Sequence, residues 1–568
     1  MFNFIKKHYL ALALALLVGL LTCVPQYIAI QKMGTKFQGI YPVSNDDEVY
    51  YLARAKDVSD GHTFLANPYL WEHKNGDAMQ VWLPDYLLAK PLSFFHISIE
   101  RGFTIYDFIF PLILTGLSYF IIYALTRDKI LSLGGAIFLH LGYLLYFFSR
   151  PTSPQFIFIF WLLTLLFFIK YIKLKEKKFL IATIFTFGLL FHFYPYFWTF
   201  YVVLTAVFIL LGLIQTRKFN FKPFLYIILG AAVIGIPYFV SLYHSMQNPA
   251  YQESLYRLGM INTHFPSGVS LVALSGIFLL VWFICLRRKI ITGSKTSLLL
   301  ASGLIAVVIC VNQHIVTGKN LEFSSHYLYL AIVWYVYTAA YLLHKIFANT
   351  KLSRYRASVL TVLFILVSAW SVIKAGQLVS KTARAYDWEL DQQRYAAVFD
   401  WLNKNTSPDS VIYANQAMSG LVPLYTADNV FYAREANLFF LSDQEVAERL
   451  IINNYYNNIT LDFVKANERF IWGAHYRDEY NHNQSKNKLR KLLFLPTQDY
   501  EPIPANKIED FLALATKIKA QTFLKNLAKY RVDYLVFDSR SDLWKQEDMG
   551  FAQLVANIDD FFIYKVNR

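Results

Sequence analysis

Eleven predominantly apolar runs punctuate the chain, most of them close to the roughly 20 residues that carry a helix across a bilayer. They lie at about 9–30, 103–125, 130–148, 154–172, 179–194, 196–214, 223–243, 269–286, 296–312, 327–346 and 357–378. The pattern predicts a polytopic α-helical membrane protein with about 11 transmembrane helices. The first run follows Lys6 and Lys7 and is too long for the apolar part of a signal peptide, so it reads as a retained helix with a cytoplasmic N-terminus.

Two stretches depart from this pattern. Residues 31–102 are too long for a mere connection and form a large first extracytoplasmic loop within a transmembrane domain that spans 1–380. Residues 381–568 are long enough for a domain with its own core. In that segment "SVIYAN", "NVFYAR", "VDYLVFD" and "FFIYKV" read as strands, and "FDWLNKNT" reads as a helix end. "SDQEVAERL" reads as a helix capped by Ser442, three residues before Glu445. The polar stretches "IINNYYNNIT" and "NHNQSKNK" read as loops. An extracytoplasmic α/β domain is expected over 381–568.

Charge sharpens the topology. The net charge of +15 invites a nucleic-acid partner, but residues 381–568 hold 23 Lys and Arg against 25 Asp and Glu, leaving the excess in the membrane part. There it concentrates in alternate short loops: "TRDK", "KLKEKK", "QTRKFNFK", "RRKIITGSK" and "HKIFANTKLSRYR". Basic loops mark the cytoplasmic side, so the excess is topological and nucleic acid is excluded as a partner. The opposite short loops carry only Arg150, Arg257 and Lys319. An odd span count places the C-terminal segment outside. Cys23, Cys285 and Cys310 all fall in apolar runs and form no spacing motif, which reads as buried thiols without disulfides.

Against this frame, "YPVSNDDEVYYLARAKD" sets three consecutive acids, Asp46, Asp47 and Glu48, just beyond the first span. Ser44 before Asp47 and Asn45 before Glu48 are capping-box spacings, so the acids open an interfacial helix whose face carries Tyr50, Tyr51 and Arg54. His62, His73 and His96 follow in the same loop, but their spacing matches no ligand motif and they read as solvated side chains. His140, near the middle of a run, reads as a buried structural hydrogen bond.

"DEVYYLARAKDV" resembles the Asp-Glu motif of the first outer loop in GT-C glycosyltransferases, particularly protein O-mannosyltransferases and lipid A aminoarabinose transferases. "GLLFHFYPYFW" from Gly188 and "NQHIVTGKNLEFSSHY" from Asn312 are similar to outer-loop segments of bacterial members. The resemblance implies a GT-C-like protein of the plasma membrane. It would move a sugar, with inversion, from a polyprenyl-phosphate donor to a glycan, lipid or protein acceptor on the outer face. It also implies that Asp47 is the base, with Asp46 or Glu48 as alternatives. For the departing phosphate, Arg257 is the first candidate, then Lys319 and His326, then Arg150. Glu72 and Asp85 are candidates for a further acid, although the Lys-Pro-Pro context of the aminoarabinose enzymes is missing. A divalent metal, used by some oligosaccharyltransferases of this fold, is an open option. Two other classes stay open: a multi-spanning transporter, and a non-catalytic surface or assembly protein of the same architecture.

Overall fold

The computed structural model describes residues 2–43, 46–143, 150–320, 326–544 and 549–567. Among these, eight helices are long and apolar enough to cross a membrane, and the pair Lys222–Ile234 and Ile236–Met246, bent by 53°, makes a ninth if taken as one span. The protein is thus a polytopic, mostly helical integral membrane protein. Two further apolar runs are helical but short, at Lys129–Tyr143 and Lys177–Phe191. Length alone therefore does not reach the expected eleven. Residues 144–149, in the expected run 130–148, lie outside the described residues.

Helix α1 (Phe2–Met33) leads into the first loop, which contains α2 (Asp46–Ser59) and α3 (Leu83–Phe94) before α4 (Ile99–Thr126) returns through the bundle. The α1–α4 contact is close because Gly19 has no side chain: a Cβ there would meet the Phe108 carbonyl oxygen at 2.6 Å. The expected helix through "VYYLARAKDV" is present as α2, although its capping candidates Ser44 and Asn45 lie outside the described residues. It is packed on two sides. Leu52 and Ala55 join the core of the bundle, whereas Tyr50 and Ala53 join a core shared with Phe399, Val430 and Phe439 of the C-terminal segment.

In chain order the strands are β1 (Ile261–Asn262), β2 (Lys319–Asn320), β3 (Val411–Tyr413), β4 (Asn429–Val430), β5 (Tyr534–Asp538), β6 (Ala552–Ile558) and β7 (Phe561–Val566). β1 and β2 form a small antiparallel ladder, and the others form one sheet in the order β4-β3-β5-β7-β6. β3 pairs parallel with β4 and β5, and β7 runs antiparallel between β5 and β6. Helices cover the sheet, so the expected α/β character holds. Ser442 caps the helix Asp443–Asn453 by accepting from the Glu445 backbone N–H at 3.1 Å. One expectation fails: "NHNQSKNK" lies inside the helix His475–Leu492. It contains no Gly or Pro to break a helix, and Asn487 ties that helix to Gln498 through bonds of 2.6 and 3.0 Å.

Candidate active site at the N-terminus of α2

Asp47 sits in the first turn of α2, and its side chain is 62% exposed. Acids in a first helical turn are favourable because the free backbone N–H groups there carry partial positive charge. One position on, the helix turns Glu48 inward, where it is buried within electrostatic reach of Asp107. These two acids thus face different surroundings, as their helical spacing requires. Asp46 enters α2 by its backbone, and its side chain lies outside the described part of the structure.

The Asp47 carboxylate is held by the Arg150 guanidinium. Arg150 precedes the turn Pro151–Phe156 that leads into the helix Ile157–Leu174, and it lies 5.9 Å from the centre of the Tyr51 ring. Tyr329 and Tyr194 are also within its electrostatic reach. Tyr194, in the turn before the helix Pro195–Gln215, hydrogen-bonds His326 Nδ1, and the Tyr196 ring packs edge-on against that imidazole at 5.0 Å. The result is an exposed carboxylate, one guanidinium, a tyrosine fringe and an imidazole gathered from four separate parts of the sequence. Burial, and then the charge of Arg150, push the His326 pKa down to about 3. At neutral pH the ring is uncharged, so it can donate or accept a hydrogen bond but offers no charge to a phosphate.

Arg257, the first choice for the phosphate contact, is placed elsewhere. It is 2% exposed and pairs with Asp443, while its guanidinium also donates to the Leu441 carbonyl at 2.5 Å and to Ser254 Oγ at 2.9 Å. Its own carbonyl accepts from the Ala474 backbone N–H at 2.8 Å. Gly473 lies against the same carbonyl at φ +61°, where a Cβ would approach to 2.3 Å. These contacts fasten the helix Tyr251–Arg257 to the C-terminal segment and leave no face for a ligand. Removing one partner of such a pair strands a buried charge. Arg257→Ala is expected to cost about 3–5 kcal/mol of stability, read as a lowered thermal midpoint of the purified protein, while the activity of each folded molecule is largely retained.

Glu72 and Asp85 are likewise structural. Glu72 accepts from Arg449 at 2.9 Å and from the Arg531 backbone at 3.0 Å, joining the first loop to the C-terminal segment. Asp85 is fully buried on α3 and receives Arg54 at 2.6 Å; burial pushes its carboxyl above its ordinary value, and the guanidinium opposes this. Lys319 is exposed on β2, next to residues 321–325, which lie outside the described residues. His140 is buried with Nε2 at 2.8 Å from Ser118 Oγ, in keeping with a structural hydrogen bond.

Among the described residues no three His, Cys, Asp or Glu side chains are grouped to hold a metal ion. His62 faces Asp57 at 3.3 Å, and His73 faces Glu445 at 3.0 Å. Among the described residues, the Asp47 carboxylate is paired with the Arg150 guanidinium and not grouped with other acids or imidazoles. The signal for Arg150 was present in the sequence, as one of three basic residues in the loops opposite the basic ones. Its partner was not, because 103 residues separate it from Asp47.

No family model matches the chain, and no curated protein matches it. Among solved structures it is similar to the Archaeoglobus fulgidus oligosaccharyltransferase tethered with an acceptor peptide containing the NVT sequon, at 13% identity over 95% of this chain and 70% of that one, with a TM-score of 0.48. It is also similar to ArnT from Cupriavidus metallidurans in the apo state, at 12% identity over 82% and 95% of the two chains, with a TM-score of 0.44. The ArnT structure bound to undecaprenyl phosphate is similar at 10% identity over 99% and 98%, with a TM-score of 0.48.

Proposed function

We propose that the protein is an inverting glycosyltransferase of the GT-C type, moving a sugar from a polyprenyl-phosphate donor to an acceptor hydroxyl at the outer face of the plasma membrane. The observation that carries this reading is the exposed Asp47 carboxylate, fixed at a helix N-terminus beside Arg150. The Asp-Glu motif directly after the first apolar helix supports it, as does the gathering of Tyr194 and His326 from the two other segments that carry the resemblance.

In this reading the acceptor O–H lies against Asp47. As its oxygen bonds to the anomeric carbon, the proton passes to the carboxylate, and the bond from that carbon to the phosphate oxygen breaks on the opposite face. The lipid phosphate leaves with the bonding pair and needs no proton. Its negative charge is met by the Arg150 guanidinium, whose N–H fork suits phosphate as well as carboxylate. Donor binding thus draws Arg150 from Asp47 and frees the base. His326, uncharged, steadies Tyr194 at the edge of the site.

The test is transfer by the purified protein from a panel of short-chain polyprenyl-phosphate sugars, with the anomeric configuration of the product read by proton NMR. Release of polyprenyl phosphate with inverted product is expected. Retention of configuration, or solute uptake in vesicles without transfer from any donor, would overturn the reading.

A further inference from the structure

A cavity lies in the C-terminal segment, apart from Asp47. It encloses 360 Å³ and opens where β3 and β5 end, lined by Ala414 and Asn415 after β3 and by Ser541 and Asp542 after β5. The chain leaves β3 toward β4 on one side of the sheet and leaves β5 toward β7 and β6 on the other. Neighbouring parallel strands whose connections diverge leave a crevice at their carboxyl ends, the usual place for a ligand in such sheets. The volume falls near the lower end of the about 300–1,000 Å³ typical of small-molecule sites.

The lining restricts the ligand. Among the described lining residues the one cation, Arg394, is already spent: the guanidinium donates to both oxygens of the buried Asp538, one bond at 2.8 Å, and stacks 4.7 Å from the Phe561 ring. With Asp391 and Asp542 also on the wall, an anion is disfavoured. The remaining polar groups are amides and hydroxyls, among them Gln416 and Ser541; Asn415 accepts from the Met418 N–H and donates to Ser541 Oγ, and Asn457 Nδ2 donates to Asn454 Oδ1, which leaves each of these amides part of its capacity. Beside them stand the rings of Tyr456 and Trp544, the latter anchored 5.0 Å from Tyr413. Amides and carboxylates that exchange hydrogen bonds with hydroxyls, next to aromatic faces that accept an apolar C–H surface, suit a neutral polyol. We propose that this crevice binds a neutral carbohydrate, as a glycan-binding site separate from the Asp47 centre. It stands or falls independently of the transferase reading.

The test is calorimetric titration of the detergent-solubilised full chain with neutral oligomers of glucose, mannose, galactose and N-acetylglucosamine. At least one series is expected to bind saturably in the millimolar range. Trp544→Ala should weaken that binding by about tenfold, roughly 1.4 kcal/mol. Because Trp544 also packs in the core, Gln416→Trp, which fills the crevice from its lip, is the companion variant and should abolish binding. Absence of saturable binding by every series, or binding that survives Gln416→Trp, overturns the proposal; the latter would move the sugar to another site.

Discussion

Asp47→Asn should lower sugar transfer by about 10²–10⁴-fold, the range that a positioned general base contributes. The replacement keeps the shape of the side chain and removes its capacity to take a proton. Because the group is 62% exposed, and because surface ion pairs such as that with Arg150 contribute only about 0–1 kcal/mol, the thermal midpoint should barely move. An activity loss without a stability loss separates a base from a structural acid. Glu48 provides the internal contrast, since it is buried and its replacement should act on stability first. The prediction is read by following lipid phosphate release in the purified variant, with donor KM little altered.

The second large effect is expected at Arg150. Arg150→Ala removes the cation that meets the departing phosphate, and removal of one such stabilising group typically costs about 10²–10³ in kcat. Arg150→Lys should recover only part of the rate, because an ammonium restores the charge without the planar fork. Arg257 supplies the control. It too is an arginine in a loop opposite the basic ones, yet its loss is expected to loosen the joint with the C-terminal segment and to leave the chemistry in place. If Arg257→Ala abolished turnover in folded protein while Arg150→Ala did not, the assignment of the two would be reversed.

The contrast between these two arginines shows what the sequence could and could not disclose. Hydropathy located the spans because bilayer crossing demands apolar length, a property summed over consecutive residues. It could not foresee that helices such as Lys177–Phe191 stop short. The helix that carries the α2 acids was legible for a similar local reason, since helix periodicity is decided within a few positions. Pairing is different. Asp443 lies 186 residues from Arg257, and Glu72 lies 377 residues from Arg449, so no spacing rule links them. Scarcity of basic residues made Arg257, Lys319 and Arg150 equally conspicuous, and only burial separates the sealed arginine from the one facing the carboxylate. Within the C-terminal segment, β3, β4, β5 and β7 were visible as apolar runs. β6 was not, because "AQLVANI" is a largely exposed edge strand with weak alternation.

A structure of the protein with a non-transferable polyprenyl-phosphate sugar bound would show whether Asp47 and Arg150 face the two ends of the bond that breaks. A phosphate oxygen is expected within hydrogen-bonding distance of the Arg150 guanidinium, with the Asp47 carboxylate on the opposite face of the anomeric carbon and their mutual contact broken. A donor seated elsewhere, with the Asp47–Arg150 pair intact, would contradict it.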